Sequence, residues 1–149
     1  MEFTRIEVKP IAGALGAEIS GVDLSQDLDQ ETFSEVHQAL LDNLVIFFRD
    51  QNLTPEQQKA FAARFGALDV HPYAPSLEDH PEIIPVIKEP TDDYVFGGHW
   101  HSDVSFYEKP ALGSVLYALE TPKAGGDTMF ASMYRAYESL SDGMRALLD

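Results

Sequence analysis

The order of helix-like and strand-like segments is the feature that most limits how this chain can fold. Two segments with helical periodicity occupy the first half, one ending near Asn43 and one beginning at Thr54, and strand-like patterns follow from Ile83 onward. Helices that precede a run of strands are typical of α+β folds, in which the helices pack on one side of a sheet. We therefore predict a β-sandwich or jelly roll with helices packed outside it.

Local signals place the individual elements. Thr54 stands immediately before Pro55 and three residues before Gln57, a pattern that predicts a capping box with proline at the first helical position. Asp27 or Ser25 is predicted to cap the earlier helix. Two short helices, each with a serine available as a cap, are predicted at 132–140 and 141–148. Strands are predicted at 3–8, 17–20, 44–48, 83–88, 100–106, 112–119 and 128–131.

Composition excludes several classes of protein. The net charge is −15, from 25 acidic and 10 basic residues, and no cluster of Lys and Arg exists that would neutralise nucleic-acid phosphates or anionic lipids. Because the chain has no cysteine, disulfides, thiolate metal sites and cysteine nucleophiles are excluded. No signal peptide or membrane span is visible. We expect residues 1–149 to form a single cytoplasmic domain that binds neither nucleic acid nor membranes.

The segment Trp100-His101-Ser102-Asp103 carries the clearest chemical signal. On an extended strand, residues two apart face the same side, so His101 and Asp103 converge on one point while Ser102 faces away. Histidine and aspartate at this spacing supply two sides of the 2-His-1-carboxylate triad that holds non-haem Fe(II). An isolated pair of this kind is more often an ordinary surface pair, so the surrounding sequence decides between the two interpretations.

The surrounding sequence resembles the taurine dioxygenase family of Fe(II)- and 2-oxoglutarate-dependent oxygenases. The matching segments occur in the family's order and at near-family spacing, at 16–24, 45–50, 53–57, 64–66, 71–72, 100–106 and 125–128. The resemblance implies a double-stranded β-helix (a jelly roll, clavaminate synthase-like) with flanking helices, incomplete at its C-terminus. It also implies a dioxygenase that consumes O₂ and 2-oxoglutarate and hydroxylates a small organic substrate, such as taurine or another sulfonate or organic acid, releasing succinate and CO₂.

The resemblance also assigns roles to particular residues. It makes His101 and Asp103 iron ligands, directs Thr128 to a carboxylate of 2-oxoglutarate, and places His71 in the substrate pocket. Thr128 is also explained as an ordinary β-branched strand residue, and His71 as a loop histidine with no task. Because halogenating relatives replace the carboxylate by a small residue, Asp103 favours hydroxylation. His99 is predicted to be structural or a rim residue, whereas His37 and His80 are predicted to be solvated rather than liganded.

Departures from the family pattern leave two interpretations open. The family's third iron ligand and its carboxylate-clamping arginine lie far downstream, whereas this chain has no histidine after His101. We expect a truncated form of a longer enzyme; the alternative is a non-catalytic metal-binding or assembly module, and a cupin-like jelly roll is a third possibility. A half-roll exposes apolar edges, which predicts a homo-oligomer. Tyr73 and Gly97 differ from the taurine-specific pattern, so sulfate esters and other small acids are equally expected substrates.

Overall fold

The computed structural model describes residues 3–149. Its helices and strands are, in chain order, β1 (Glu7–Pro10), β2 (Ala17–Ser20), α1 (Gln30–Asn43), β3 (Ile46–Phe48), α2 (Pro55–Ala63), α3 (Met133–Glu138) and α4 (Asp142–Leu148). The chain divides into two units, the first formed by residues up to 51 together with 119–149, and the second by residues 52–118. Within residues 3–149, no helix has both the length and the apolar content needed to cross a membrane.

A small mixed sheet packed against α1 forms the core of the first unit. The strand order is β1-β2-β3, with β1 antiparallel and β3 parallel to β2. Parallel pairing requires a long connection between the strands, and α1 supplies it. Ala17 and Ile19 on β2 and Val36 and Ala39 on α1 are almost completely buried. The buried residues of β2 therefore lie against the buried side of α1.

The helix α1 begins at Asp29, whose carboxylate accepts a hydrogen bond from the backbone N–H of Thr32 at 2.7 Å. The prediction that Asp27 or Ser25 caps this helix is wrong. Ser25 belongs to a separate turn, in which its backbone N–H donates to the Asp23 carboxylate at 2.9 Å. Several capping residues lie close together in this stretch, and only the one with extended backbone immediately before the first helical turn serves as the cap.

Glu35 joins the N-terminal segment to α1 through a buried carboxylate. Backbone N–H groups of Thr4, Arg5 and Ile6 donate to its carboxylate oxygens at 2.9, 2.9 and 3.2 Å, and the Thr4 hydroxyl donates at 2.9 Å. Burial by itself raises the pKa of Glu35, but these hydrogen bonds to the ionised form outweigh it and the pKa is lowered. The carboxylate is therefore a fully partnered anion inside the first unit.

The helix α2 begins as the sequence predicts. The Thr54 hydroxyl accepts from the backbone N–H of Gln57 at 3.3 Å, and the Gln57 side chain accepts from the backbone N–H of Thr54 at 2.8 Å, completing the capping box. Pro55 occupies the first helical position. Phe61 and Phe65 meet edge to face with ring centroids 5.4 Å apart. The predicted serine caps of α3 and α4 are confirmed as Ser132 and Ser141.

The predicted strands of the second half do not form in the described chain. Segments 83–88, 100–106, 112–119 and 128–131 contain no strand. The segment 112–119 still alternates: Val115 and Tyr117 are half-buried while Leu116 is 75% exposed. Gln58 donates to the Val115 carbonyl at 3.0 Å, and the Leu53 N–H donates to the Tyr117 hydroxyl at 3.2 Å. Alternation alone cannot make a strand, because each strand needs a neighbour to complete its ladder.

The architecture within residues 3–149 is accordingly α+β, with a three-stranded mixed sheet and four helices. The first predicted strand is displaced, since β1 covers Glu7–Pro10 rather than 3–8. The strand predicted at 44–48 shortens to Ile46–Phe48 and lies at the sheet edge. The double-stranded β-helix expected from the resemblance is not closed by these strands.

Candidate metal centre

The second unit brings the side chains of His101 and Asp103 together. Nε2 of His101 lies 3.2 Å from Oδ1 of Asp103, and the two side chains are 53% and 70% exposed. The segment is irregular rather than the predicted strand, and a turn follows it directly: Val104 adopts a φ of 41°, and the Tyr107 N–H donates to the Val104 carbonyl at 3.0 Å. The two side chains therefore meet without the strand that the sequence predicts.

The backbone carbonyl of His99 fixes the orientation of the His101 ring. Nδ1 of His101 lies 2.7 Å from this oxygen, which can only accept a hydrogen bond, so the contact requires the proton on Nδ1. In the neutral ring, Nε2 then carries a lone pair that faces a carboxylate oxygen of Asp103. Two facing lone pairs need a cation between them, either a second proton on the imidazole or a metal ion.

The donor set suits a first-row divalent metal. Two ligands held at right angles about 2.1 Å from an octahedral ion lie about 3 Å from each other, close to the observed separation of the nitrogen and oxygen. Imidazole and carboxylate are the donors of non-haem Fe(II) sites, and a hydrogen bond from the second ring nitrogen to a carbonyl is usual for metal-binding histidines. Among residues 3–149, no group of three His, Asp or Glu residues stands close enough to hold a metal. His101 and Asp103 are thus two candidate ligands without a third beside them in the described residues.

Gly97 lies against the His101 ring, a contact that sequence reasoning missed. Its φ is 69°, and a Cβ at this position would stand 3.4 Å from Cε1 of His101. A Cβ at Gly98 would stand 3.2 Å from the Val95 carbonyl oxygen. The adjacent glycines were a visible signal, because close approach of backbone to a functional side chain favours glycine.

His71 lies in the second unit and closes a local turn with its own ring. Nδ1 accepts hydrogen bonds from the backbone N–H groups of Tyr73 and Ala74 at 3.2 and 2.9 Å. In the neutral ring the proton is then on Nε2, which is left as a hydrogen-bond donor. The Tyr73 ring contacts the His71 ring edge to face, with centroids 6.2 Å apart.

Thr128 belongs to the first unit and follows two glycines with positive φ, Gly125 at 78° and Gly126 at 73°. Its segment is not a strand but is anchored nearby, since Phe130 contacts Phe47 of β3 edge to face at 6.3 Å. The other two histidines make structural contacts: His37 stacks on Phe33, and His80 pairs with Glu56.

Comparison with known proteins identifies the family of this chain. The sequence pattern of the family described as "Taurine catabolism dioxygenase TauD, TfdA family" matches residues 7–149. This chain belongs to that family. Among solved structures, a taurine dioxygenase from Burkholderia xenovorans superposes with a TM-score of 0.83 at 36% identity, covering 97% of this chain and 51% of that one.

Two of the curated relatives are named for activity on sulfate esters or alkyl sulfates. An α-ketoglutarate-dependent sulfate ester dioxygenase of Pseudomonas putida is 36% identical over 97% of this chain and 47% of its own length. An alkylsulfatase of Acinetobacter baylyi is 35% identical over 93% of this chain and 43% of its own length. This chain spans about half the length of the curated relatives it matches.

Proposed function

We propose that this chain is part of an Fe(II)- and 2-oxoglutarate-dependent dioxygenase that hydroxylates a small organic substrate and releases succinate and CO₂. The observation that carries the proposal is the pair of neighbouring donors, with His101 Nε2 facing Asp103 Oδ1 at 3.2 Å and Nδ1 held by the His99 carbonyl. Membership of the family and the named activities of its relatives support the same reading.

Different residues of this chain would bind the iron and the 2-oxoglutarate. His101 and Asp103 would hold Fe(II), which supplies the activation of O₂ that couples 2-oxoglutarate decarboxylation to hydroxylation. The His99 carbonyl keeps the His101 proton on Nδ1, so that Nε2 stays available. Thr128 would hydrogen-bond a 2-oxoglutarate carboxylate. As a ligand, the Asp103 carboxylate would lower the net charge at the ion and would occupy the position that halogenating relatives keep open for a halide.

The substrate is proposed to carry an acidic or ester oxygen. Both local hydrogen bonds of His71 are accepted by Nδ1, so in the neutral ring Nε2 carries the proton and acts as a hydrogen-bond donor. A donor of this kind suits a sulfonate, sulfate ester or carboxylate oxygen. Relatives named for sulfate esters, sulfonates and phenoxypropionate share this acidic or ester character, and we propose the same class here rather than taurine in particular.

A non-catalytic metal-binding or assembly module is the second candidate. The two-ligand donor set within residues 3–149 favours it.

A homo-oligomer is proposed in either case, because large apolar side chains of the second unit are exposed to solvent: Trp100 is 69%, Phe106 74% and Leu116 75% exposed. Light scattering at micromolar concentration tests this, and a monomer at all concentrations would contradict it. The cytoplasmic location and the absence of nucleic-acid and membrane partners stay predictions.

Anaerobic titration with Fe(II) and 2-oxoglutarate tests the dioxygenase proposal. We expect the visible charge-transfer band of a chelated keto acid, lost in His101→Ala and in Asp103→Ala. The matched control is His99→Ala, which keeps the backbone carbonyl and should keep the band. A band that survives His101→Ala would refute the ligand assignment. Absence of any band from the unmodified chain would leave the metal-binding or assembly module as the better description.

A further inference from the structure

Two ion pairs in the second unit join α2 to the segment that follows His71. His80 Nε2 lies 3.3 Å from Glu56 Oε1. Lys59 Nζ lies 3.1 Å from Glu82 Oε2. Lys59 and Glu82 are only 25% and 26% exposed, so this pair is less screened by water than an ordinary surface pair. In the other pair His80 is 17% exposed, whereas Glu56 is 68% exposed.

The four groups form one electrostatic cluster, here called the α2 clasp (Glu56, Lys59, His80 and Glu82). The pKa of Glu82 is lowered by its own backbone N–H and by the hydrogen bond from Lys59, with a further contribution from His80. The pKa of Glu56 is lowered chiefly by its own backbone N–H and by Thr54, and His80 and Lys59 add to the effect. Each carboxylate therefore senses both basic partners.

The two clasp residues outside the helix lie on one tight turn. The Leu77 N–H donates to the Ile83 carbonyl at 3.0 Å, the His80 N–H to the Leu77 carbonyl at 3.2 Å, and the Ile83 N–H to the His80 carbonyl at 2.9 Å. His80 Nδ1 is buried without a hydrogen-bond partner in the described chain, so Glu56 is what orients the ring. The turn 77–83 is thus fixed to α2 as a unit.

This arrangement anchors both ends of the segment that carries His71. Residues 64–76 leave the C-terminal end of α2, and the turn 77–83 returns to the first two turns of the same helix, where Glu56 and Lys59 lie. The contacts of His71 within the described chain are local, with the N–H groups of Tyr73 and Ala74 and the Tyr73 ring. Its place relative to α2 therefore depends on how the ends of its segment are held.

We propose that the α2 clasp positions His71. Its four residues act as positioning residues for the segment 64–76, which carries His71. The proposal rests on the proposed function, in which His71 contacts the substrate. It differs from a purely stabilising role, because breaking the clasp should release the His71 turn while the helix itself stays formed through its capping box and the Phe61–Phe65 contact.

Residue-resolved amide hydrogen exchange on the 149-residue chain tests the proposal, with the Tyr73 and Ala74 amides as reporters. Lys59→Glu and Glu82→Lys each place like charges together, and we expect exchange at both reporters to accelerate about fivefold. The double variant, Lys59→Glu with Glu82→Lys, restores opposite charges and should return exchange to within about twofold of the original. Arg49→Glu, which breaks the Arg49–Glu18 pair of the first unit, is the matched control and should leave both reporters unchanged.

Three results would overturn the proposal. Reporter exchange could stay unchanged in the single variants, the charge swap could fail to restore it, or the α2 amides at 58–63 could accelerate equally, which would indicate loss of the helix instead. If a charge reversal prevents folding, Glu82→Gln removes the pair without repulsion and is compared in the same way. Neither iron nor 2-oxoglutarate is present in this measurement, so its result is separate from that of the charge-transfer titration.

Discussion

The two units of the molecule hold their residues in place by different means. Within the described chain, every buried hydrophobic side chain except Phe61 belongs to the first unit, where a strand ladder and α1 enclose Ile19 and Val36. In the second unit, His71, His101 and Asp103 lie on irregular backbone fixed by individual hydrogen bonds and ion pairs. Packing thus holds the first unit, whereas specific polar contacts hold the candidate site, as is common for sites on loops.

The largest loss in the free energy of unfolding should follow a substitution in the core of the first unit. Val36 is 0% exposed, and Val36→Ala removes two methyl groups and leaves a cavity between α1 and the sheet. We expect a loss of about 2 kcal/mol in the free energy of unfolding measured with urea. The control is Leu116→Ala in the second unit, which is 75% exposed and should change stability by less than about 0.5 kcal/mol. Equal losses in the two variants would remove the distinction between the units.

The pH dependence of the first unit sharpens the comparison, because its core holds one carboxylate. The pKa of Glu35 is lowered in the folded chain, so its contribution to stability is present above the ordinary pKa of glutamate and is lost as the pH falls through the folded-state value. We expect Glu35→Gln to be less stable than the original chain at neutral pH. The two should converge from about pH 5 downward, as the original carboxylate becomes protonated.

Glu31→Gln is the control for that pH series. Glu31 lies four residues before Glu35 on the same face of α1 and pairs with Arg5, but its side chain is 75% exposed. Denaturation midpoints recorded across the acid range should then follow the original chain closely in Glu31→Gln. A stability curve for Glu35→Gln that runs parallel to the original at every pH would show that Glu35 does not titrate with folding.

The smallest effect is expected at the start of α2 in the second unit. Thr54→Ala removes the hydroxyl that accepts from the Gln57 N–H, and we expect a cost of about 1 kcal/mol. Thr54→Ser keeps the hydroxyl and should recover most of that loss. Helix content followed by circular dichroism during urea unfolding measures both. If Ser and Ala at this position behave alike, the capping box does not contribute to stability.

Features written in adjacent residues could be predicted from the sequence. The Thr54 capping box, the strand at Ala17–Ser20 and the serine caps of α3 and α4 each depend on a few neighbouring side chains. Family membership was predictable for the same reason, since several short motifs occur in order along the chain. The cap at Asp29 was missed because three candidate caps precede α1 within five residues.

Features that depend on distant or backbone partners could not be predicted. The segment 112–119 has a strand pattern, but the described chain provides no neighbouring strand to complete a ladder. The approach of His101 to Asp103 was expected on a strand, whereas the structure shows it on irregular backbone. The contacts that orient His101 and His71 involve main-chain carbonyl and N–H groups, which nearly all residue types carry and which therefore leave little trace in the sequence.

The carbonyl of His99 has a consequence for how this centre tolerates evolutionary change. The oxygen that sets the tautomer of His101 belongs to the main chain, so any amino acid at position 99 supplies it equally well. Substitutions there are buffered, whereas an inserted or deleted residue between positions 99 and 101 would carry the oxygen away from the ring. We therefore expect the spacing of this short stretch to be under tighter selection than the identity of its first residue.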